Sequence, residues 1–298
     1  MAQPTISVLM PAYKAEATIK RAAKSVLEQD WPDLELVISS DDGQDYIGVL
    51  SKQGLTDDRI RQVMTGGVGT GDWNARNAAL KAAEGELVTL IDSDDEYASG
   101  RLSALAPLAM KNGAAIDDTQ LYLNELVVAT LLHDHERIDG KSVQATAPLI
   151  LRDRTPVFPM WNKKNVNINW HELPHASDVI FSLELLSAAP EMKITPHGGY
   201  LYYKRPGSMT LSDSMTQRSR QAYYAIINSI TSGKYSFSPE IADFALYEIS
   251  KNLNQANAFG QILSGNPKLT HEMLAIRFNQ RSMIEKERIA FFRGELEL

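Results

Sequence analysis

Short apolar segments alternate with amphipathic segments over the first hundred residues. Apolar positions at helical spacing predict helices over residues 16–29 and 72–83. Four apolar segments have the length and composition of strands, namely residues 5–10, 34–38, 60–64 and 87–91. Strands that alternate with helices favour parallel pairing through right-handed crossovers. The pattern therefore predicts an α/β fold with a mostly parallel central sheet flanked by helices.

The second part of the chain has a more mixed pattern. After Tyr97 it predicts a helix over residues 101–111 and strands over 114–116 and 121–130. A further helix is predicted over residues 176–186. From about residue 216 the apolar spacing is helical throughout, and the predicted helices cover residues 222–230, 239–263 and 269–292. The chain is therefore expected to end in a helical C-terminal region.

Three carboxylates follow directly after the strand predicted at residues 87–91. Asp92, Asp94 and Asp95 would repel one another, and partial burial would add to the unfavourable energy. A hard divalent cation such as Mg²⁺ or Mn²⁺ would relieve both effects, taking its other ligands from water and phosphate. The alternative is a turn with helix-capping aspartates. Both interpretations are open from this segment alone.

Composition excludes several classes of protein. The net charge of −7 argues against a nucleic-acid-binding surface, which is normally basic. No run of about 20 apolar residues predicts a membrane span, and the first residues lack the pattern of a signal peptide. The absence of cysteine excludes disulfides, thiolate metal sites and a cysteine nucleophile. We therefore expect a cytoplasmic protein.

The usual phosphate-binding loops are missing. The first strand is followed by Pro11-Ala12-Tyr13-Lys14, with no glycine that would let a pyrophosphate approach the backbone. The glycines of segment 66–71 follow a later strand and lack the Lys-Ser/Thr pair of a P-loop, which favours a mobile loop. If the chain binds a phosphate, a metal held by the acids is the available means of neutralising it.

Seven short motifs occur in order along the first hundred residues. They are Ile6-Ser-Val-Leu-Met-Pro-Ala-Tyr13, Ser25-Val-Leu-Glu-Gln29, Leu34-Glu-Leu-Val-Ile38, Asp41-Asp42-Gly43, Ala75-Arg76-Asn77, Ala83-Glu-Gly-Glu86 and Asp92-Ser-Asp-Asp95. Together they resemble family 2 glycosyltransferases, which are inverting enzymes with a Rossmann-like GT-A fold. One departure is Gln44-Asp45, where the family usually has serine after Asp-Asp-Gly.

The resemblance implies a different role for each of three parts of the chain. Residues 1–100 would bind the nucleotide-sugar donor, residues 101–215 would bind the acceptor and supply the catalytic base, and residues 216–298 would form the helical C-terminal region. Within the donor half, the resemblance places Pro11 and Tyr13 at the nucleotide, with the Tyr13 ring against the base. The alternative for Tyr13 is an aromatic ring packed beneath the loop.

The same resemblance assigns roles to charged residues of the donor half. Asp41 or Asp42 would accept a hydrogen bond from the base N–H, or would serve as a turn residue. Arg76 would approach the donor diphosphate or sugar, the alternative being a solvated helix charge. Asp92 and Asp94 match the Asp-X-Asp signature, whose acids divide between the donor ribose and the metal. The metal, Mn²⁺ or Mg²⁺, would be held by Asp94 above all, together with Asp92 and Asp95.

Two motifs of the second half concern acid–base and metal chemistry. Segment 171–175 has the His-Glu-x-x-His pattern of zinc proteases, but Pro174 lies inside it and would break the required helix. We therefore reject the zinc interpretation. Asp178 begins the next predicted helix, where similar enzymes keep their catalytic base, often as Glu-Asp; here Ser177 precedes it. The alternative is an acid favoured by the helix dipole.

Three further features have open interpretations. Segment 202–210 resembles a late family segment, in which Arg205 stands where a histidine is frequent and would bind the diphosphate. Whether His197 acts as a metal ligand is open. Trp161 and Trp170 flank a polar segment that would bind sugar or form a loop with buried anchors.

The predicted function is a metal-dependent inverting glycosyltransferase. It would move a sugar from a nucleoside diphosphate, UDP above all, to a carbohydrate or glycolipid acceptor in surface-polysaccharide synthesis. The alternatives are a nucleotidyltransferase and a catalytically silent sugar-nucleotide or glycan-binding protein. The C-terminal helices would cover the catalytic domain, form a homodimer, or contact a membrane surface peripherally.

Overall fold

An eight-stranded sheet forms the centre of the molecule. The computed structural model describes residues 4–123, 126–132, 138–151, 156–204 and 214–265. The strands of this sheet, in spatial order, are β3 (Ile60–Met64), β2 (Leu34–Ser40), β1 (Ile6–Ala12), β4 (Leu87–Leu90), β10 (Met160–Asn162), β6 (Ala114–Asp117), β11 (Lys193–Thr195) and β9 (Val143–Gln144). The predicted strands of the first hundred residues are all present.

Parallel pairing of the first strands determines where a site can form. β1 pairs in parallel with both β2 and β4, and β2 pairs in parallel with β3. The carboxyl ends of these four strands therefore lie at one edge of the sheet, where α/β proteins bind ligands. β10 runs antiparallel to β4 and β6, so the sheet is mostly parallel, as predicted.

Helices cover the sheet and close the core. They are α1 (Ile19–Leu27), α2 (Tyr46–Lys52), α3 (Asp72–Ala82), α4 (Arg101–Asn112), α5 (Ala147–Ile150), α6 (Ser177–Ala188), α7 (Met215–Thr231) and α8 (Pro239–Gly265). The apolar stripe of α1 is buried as its spacing predicts. The sequence did not predict α2, whose N-terminus is capped by Asp45, which accepts a hydrogen bond from the Gly48 N–H at 2.9 Å.

A smaller sheet lies beside the carboxyl end of β4. Its four strands, in spatial order, are β5 (Glu96–Tyr97), β12 (Tyr200–Lys204), β7 (Gln120–Leu123) and β8 (Leu126–Thr130). The single strand predicted over residues 121–130 is wrong: β7 and β8 pair antiparallel as two strands. Periodicity did not separate the two strands because the residues on both sides of positions 124 and 125 are apolar.

The C-terminal helices of the described chain pack on α6. α7 and α8 contact each other and share a second apolar cluster with the start of α6, which includes Ile180, Ile226 and Ile249. No helix among the described residues is long and apolar enough to cross a membrane. The helix predicted over residues 269–292 lies outside the described residues.

Candidate active site

Polar side chains line the sheet edge at which β1, β2 and β4 end. Tyr13 follows β1, Asp41 and Asp42 follow β2, and Asp92 lies two residues beyond β4. The parallel pairing of these strands brings the three segments together. The family resemblance places the donor nucleotide at this edge.

Asp41 organises the glycine-rich loop. Its Oδ1 accepts hydrogen bonds from the Thr65 hydroxyl at 2.8 Å and from the Thr70 N–H at 3.0 Å. Its Oδ2 accepts one from the Gly71 N–H at 3.1 Å. Burial raises the pKa of Asp41, but these hydrogen bonds outweigh burial and hold its pKa below the ordinary value. The glycine-rich loop is therefore fastened to the end of β2.

Asp42 fastens the loop that carries Tyr13. It accepts hydrogen bonds from the Lys14 N–H at 2.6 Å and the Tyr46 hydroxyl at 2.8 Å, while Lys14 adopts a left-handed backbone with φ 51°. Burial raises the pKa of Asp42, and its hydrogen bonds, first among them that from Lys14, lower it further than burial raises it. The Tyr13 ring is 48% exposed and is accessible for stacking.

The charge of Arg76 interacts with three carboxylates. It is 6% exposed, and its guanidinium donates to Asp72 Oδ2 at 2.8 Å and to Asp92 Oδ1 at 3.2 Å. Burial lowers the pKa of Arg76, but the charges of Asp92, Asp72 and Asp178 outweigh burial and raise it above the ordinary value. Arg76 is thus a buried helix residue, which contradicts the alternative of a solvated helix charge.

The first turn of α6 carries Asp178, as the sequence predicts. The preceding residue, Ser177, donates its hydroxyl to Asp72 Oδ2 at 2.9 Å. The segment that leads to α6 is fixed to α3 by Asn77, whose side chain donates to the Trp170 carbonyl at 2.8 Å and accepts from the Trp170 N–H at 2.9 Å. These contacts bring Asp178 to Arg76 from a segment about 100 residues away in sequence.

The three acids after β4 do not have equivalent surroundings. Asp95 is fully buried, and its two oxygens accept hydrogen bonds from the Tyr200 hydroxyl at 2.8 Å and from the Tyr203 N–H at 2.9 Å. Burial, followed by the charges of Asp92 and Asp94, raises the pKa of Asp95 well above its ordinary value. The surroundings of Asp95 therefore favour a structural role, and it is not part of the metal site proposed below.

Asp92 and Asp94 have the chemistry of a divalent metal site. Burial raises the pKa of Asp92; the charge of Arg76 opposes this increase and the charge of Asp94 adds to it. A cation would relieve both burial and repulsion. Among the described residues no three carboxylate or imidazole side chains converge into a metal cluster. Two carboxylates fit Mg²⁺ or Mn²⁺, which complete their coordination with water and phosphate oxygens.

The pKa of Tyr202 depends on carboxylates from both halves of the chain. Burial and then the charges of four carboxylates raise its pKa; the four are Asp95, Asp92, Asp94 and Asp178. The contacts from Ser177 through Asp72 and Arg76 to Asp92 link the start of α6 to the acidic strand end, a link that the sequence alone could give only by resemblance.

Several other predicted residues lie elsewhere. His171 Nε2 lies 2.8 Å from Glu184 Oε2, and the chain around it is not helical, in agreement with the rejection of a zinc motif. His197 Nε2 lies 3.1 Å from the Ser99 carbonyl oxygen. Trp161 and Trp170 are buried anchors, and Trp170 stacks on Phe181 with 3.9 Å between ring centroids. Arg205 lies outside the described residues.

Sequence analysis missed two structural supports of the site. Asp72 precedes Arg76 by four residues on α3, and this spacing of opposite charges was an available signal. Buried Arg101 donates to Asp117 Oδ2 at 2.9 Å and lies 4.2 Å from the Tyr97 ring centroid. It also lies 5.3 Å from the ring centroid of Tyr200, whose hydroxyl donates to Asp95. No local pattern indicates this second support, because its members come from separate elements.

Comparisons with known proteins agree with this geometry. Among curated proteins, the chain is 34% identical over 114 residues to the Campylobacter jejuni GalNAc(5)-diNAcBac-PP-undecaprenol beta-1,3-glucosyltransferase, covering 38% of this chain and 37% of that protein. It is 35% identical over 107 residues to the Escherichia coli UDP-Glc:alpha-D-GlcNAc-diphosphoundecaprenol beta-1,3-glucosyltransferase WfgD, covering 36% and 42%. The chain therefore aligns with less than half the length of these relatives.

A solved structure shares the fold over most of the chain. The Staphylococcus aureus TarS 1-349 structure in complex with UDP-GlcNAc superposes with a TM-score of 0.62 at 20% identity, covering 83% of this chain and 72% of that one. This likeness shows that the fold is of the GT-A type. The family model described as "Glycosyl transferase family 2" matches residues 7–176. Because this match covers more than half of the chain, the protein belongs to glycosyl transferase family 2.

Proposed function

We propose that this protein transfers a sugar from a UDP-sugar to a carbohydrate hydroxyl with inversion at the anomeric carbon. The chain of contacts that runs from Ser177, next to Asp178 in the acceptor half, through Asp72 and Arg76 to Asp92 in the donor half is the observation that carries this proposal. Inversion in a single displacement needs one base near the donor, and Asp178 is the carboxylate that the second half supplies there.

The roles follow from position in the site. The exposed Tyr13 ring would stack on the nucleotide base. Asp41 Oδ2, which accepts a single hydrogen bond, would accept the base N–H, whereas each oxygen of Asp42 already accepts two. Pro11, at the same end of β1, would border the nucleotide. Asp178 would take the proton of the acceptor hydroxyl as that oxygen attacks the anomeric carbon.

A divalent cation, Mn²⁺ or Mg²⁺, would be held by Asp94 and Asp92. When bound, such an ion stabilises the charge of a departing nucleoside diphosphate. Arg76 would keep Asp92 ionised and in place, since its guanidinium donates to Asp92 Oδ1. The assignment of Arg205 to the diphosphate stays a prediction.

The acceptor that we propose is a lipid-linked glycan. The two curated relatives are named for glucosyl transfer to undecaprenol-diphosphate-linked glycans, which supports an acceptor of this class and peripheral contact with a membrane. Surface-polysaccharide synthesis is the matching setting. Dimerisation through the C-terminal helices stays a prediction; exposed Tyr224 and Tyr247 on α7 and α8 are available for such a contact.

The test is calorimetric titration of UDP and of GDP, each with Mn²⁺, with Mg²⁺ and with EDTA. Wild type is expected to bind UDP more tightly with metal than with EDTA, and Asp94→Ala is expected to lose that difference. Asp243→Ala is the matched control because Asp243 is an exposed aspartate on α8. It should bind as the wild type does.

The other outcomes discriminate among the alternatives. Preference for GDP would keep the transferase and change the donor. Binding of UDP-sugars without any release of UDP, over a broad set of acceptors, would favour a silent binding protein. If neither nucleotide binds with any metal, the assignment of the acidic strand end to the donor is wrong.

A further inference from the structure

A part-buried contact joins the start of α3 to the start of α6, and the Asp72 side chain at its centre is 39% exposed. Asp72 Oδ2 accepts two hydrogen bonds, one from Arg76 Nη1 at 2.8 Å and one from the Ser177 hydroxyl at 2.9 Å. Ser177 is 1% exposed and Arg76 is 6% exposed. Two donors on one carboxylate oxygen, one of them charged, fix the distance between the two helix ends.

Besides its apolar packing on α7 and α8 through Ile180, the start of α6 is held by the Asp72–Ser177 hydrogen bond. Ala176 occupies the N-cap position, where it makes no side-chain hydrogen bond, and it adopts a left-handed backbone with φ 64° and ψ 23°. Alanine adopts this conformation only when its surroundings impose it. Since Asp178 directly follows Ser177 in the first turn, the Asp72–Ser177 hydrogen bond constrains the backbone that carries its carboxylate.

Asp72 also adjoins the donor side of the site. It directly follows Gly71, whose N–H donates to Asp41 at 3.1 Å. Asp72 therefore lies between the residue proposed to contact the base and the residue proposed to accept the proton. The family resemblance leads us to expect a glutamate at position 177, where this chain has serine, and Asp72 places a carboxylate next to Ser177 from a different helix.

We infer that Asp72 is a positioning residue, which holds the start of α6 so that Asp178 faces the donor. This inference rests on the proposed function for its catalytic consequence, but the holding contact itself is testable without activity. Asp72 does not touch the reacting atoms in this account. It acts through Ser177 and Arg76.

Hydrogen exchange tests the contact directly. Wild type, Asp72→Ser and Ser177→Ala would be compared by mass spectrometry over the peptide that covers residues 176–186. Both variants are expected to exchange faster there by about 10-fold or more, because the first turn of α6 loses its hydrogen bond to α3. Asp243→Ser, which removes an exposed carboxylate from α8, is the matched control and should leave this peptide unchanged.

Turnover separates positioning from a general loss of folding. The probe is release of UDP from UDP-glucose and from UDP-GlcNAc, with water as the acceptor. Asp72→Ser is expected to lower kcat about 10- to 100-fold, as displacement of a reacting group by about 1 Å does. For Ser177→Ala, which leaves the Arg76–Asp72 ion pair in place, KM for the donor and Kd for UDP should stay within about twofold, since the nucleotide contacts are intact.

Moving the carboxylate to the other helix gives the sharpest comparison. The double variant Asp72→Ser/Ser177→Glu restores a carboxylate beside Arg76 from α6, and we expect it to recover both slow exchange and kcat. If the double variant does not fold, Ser177→Ala still decides, because it removes one hydroxyl and leaves the Arg76–Asp72 ion pair. Ser177→Ala is expected to lower kcat several-fold.

Two results would overturn the positioning inference, and a third would refute the proposed function. Unchanged exchange in Asp72→Ser and Ser177→Ala would overturn the inference. Faster exchange with unchanged kcat would also overturn it, since the held position would not matter for turnover. Failure of wild type to bind UDP or release it from either donor would refute the proposed function, while the exchange data would still decide the contact.

Discussion

The buried ion pair beneath the site offers a quantitative test of the fold. Arg101 and Asp117 are both fully buried, and the guanidinium donates to the two carboxylate oxygens at 2.9 and 3.0 Å. It donates also to the Thr89 hydroxyl at 3.1 Å and to the Phe158 carbonyl at 2.6 Å. Burial lowers the pKa of Arg101, and the charge of Asp117 opposes burial enough to raise it. Asp117→Ala removes that opposing charge.

The expected loss of stability follows from these contacts. In Asp117→Ala the guanidinium stays buried among Thr89, Phe158 and Tyr97 without its carboxylate partner. Breaking a buried pair in this way lowers the free energy of unfolding by about 3–5 kcal/mol. Replacing both members by apolar residues removes the unpaired charge, so Arg101→Met/Asp117→Ala should be less destabilised than Asp117→Ala alone.

Urea unfolding, followed by tryptophan fluorescence and circular dichroism, measures the free energy of unfolding of the single and the double variant. Coincident transitions would license the two-state treatment. An exposed pair, Lys24 with Glu28, is the control, and its Glu28→Ala variant should lose about 1 kcal/mol or less. Two results would contradict this expectation. One is a free energy of unfolding for Asp117→Ala within about 1 kcal/mol of wild type, and the other is a double variant less stable than the single one.

Three further predictions concern single contacts. Asn77→Ala removes both hydrogen bonds to the Trp170 backbone, so urea unfolding should show a loss of about 2 kcal/mol or more. Gly85→Ala would place a methyl group 2.7 Å from the Ser7 N atom, and overpacking should lower the thermal midpoint by the equivalent of about 1–3 kcal/mol. Because the folded pKa of Asp41 is lowered, its ionised form stabilises the fold above its unfolded pKa of about 4, and this contribution is lost as the pH falls through the folded pKa. Asp41→Asn should therefore flatten the dependence of the urea midpoint on pH below about pH 4.

Periodicity and resemblance predicted the parts of the fold that depend on local pattern. The strands that end near Asp41 and Asp92 are buried apolar segments, and their parallel pairing followed from alternation with helices. Asp178 was placed in a first helical turn by the apolar spacing that follows it. These signals each lie within about ten residues of sequence, so one chain suffices to detect them.

Contacts between distant segments were beyond such reasoning. Nothing local distinguishes Asp95 from Asp94, yet Tyr200, more than a hundred residues later, donates to the Asp95 carboxylate. Asp72 has a local signal in its ion pair with Arg76, but its bond to Ser177 joins segments 105 residues apart. Pairings of this kind depend on how the two halves of the chain pack, which single-sequence patterns do not encode.

The variant Asp178→Asn tests whether Asp178 accepts the proton of the attacking hydroxyl. The measurement is the rate of UDP release from a panel of UDP-sugars, together with the Kd for UDP in the presence of Mn²⁺. We expect the rate of UDP release by Asp178→Asn to fall about 10²- to 10⁴-fold, while the Kd for UDP stays within about twofold of wild type. Release at the wild-type rate with unchanged UDP binding would contradict the assignment of the base.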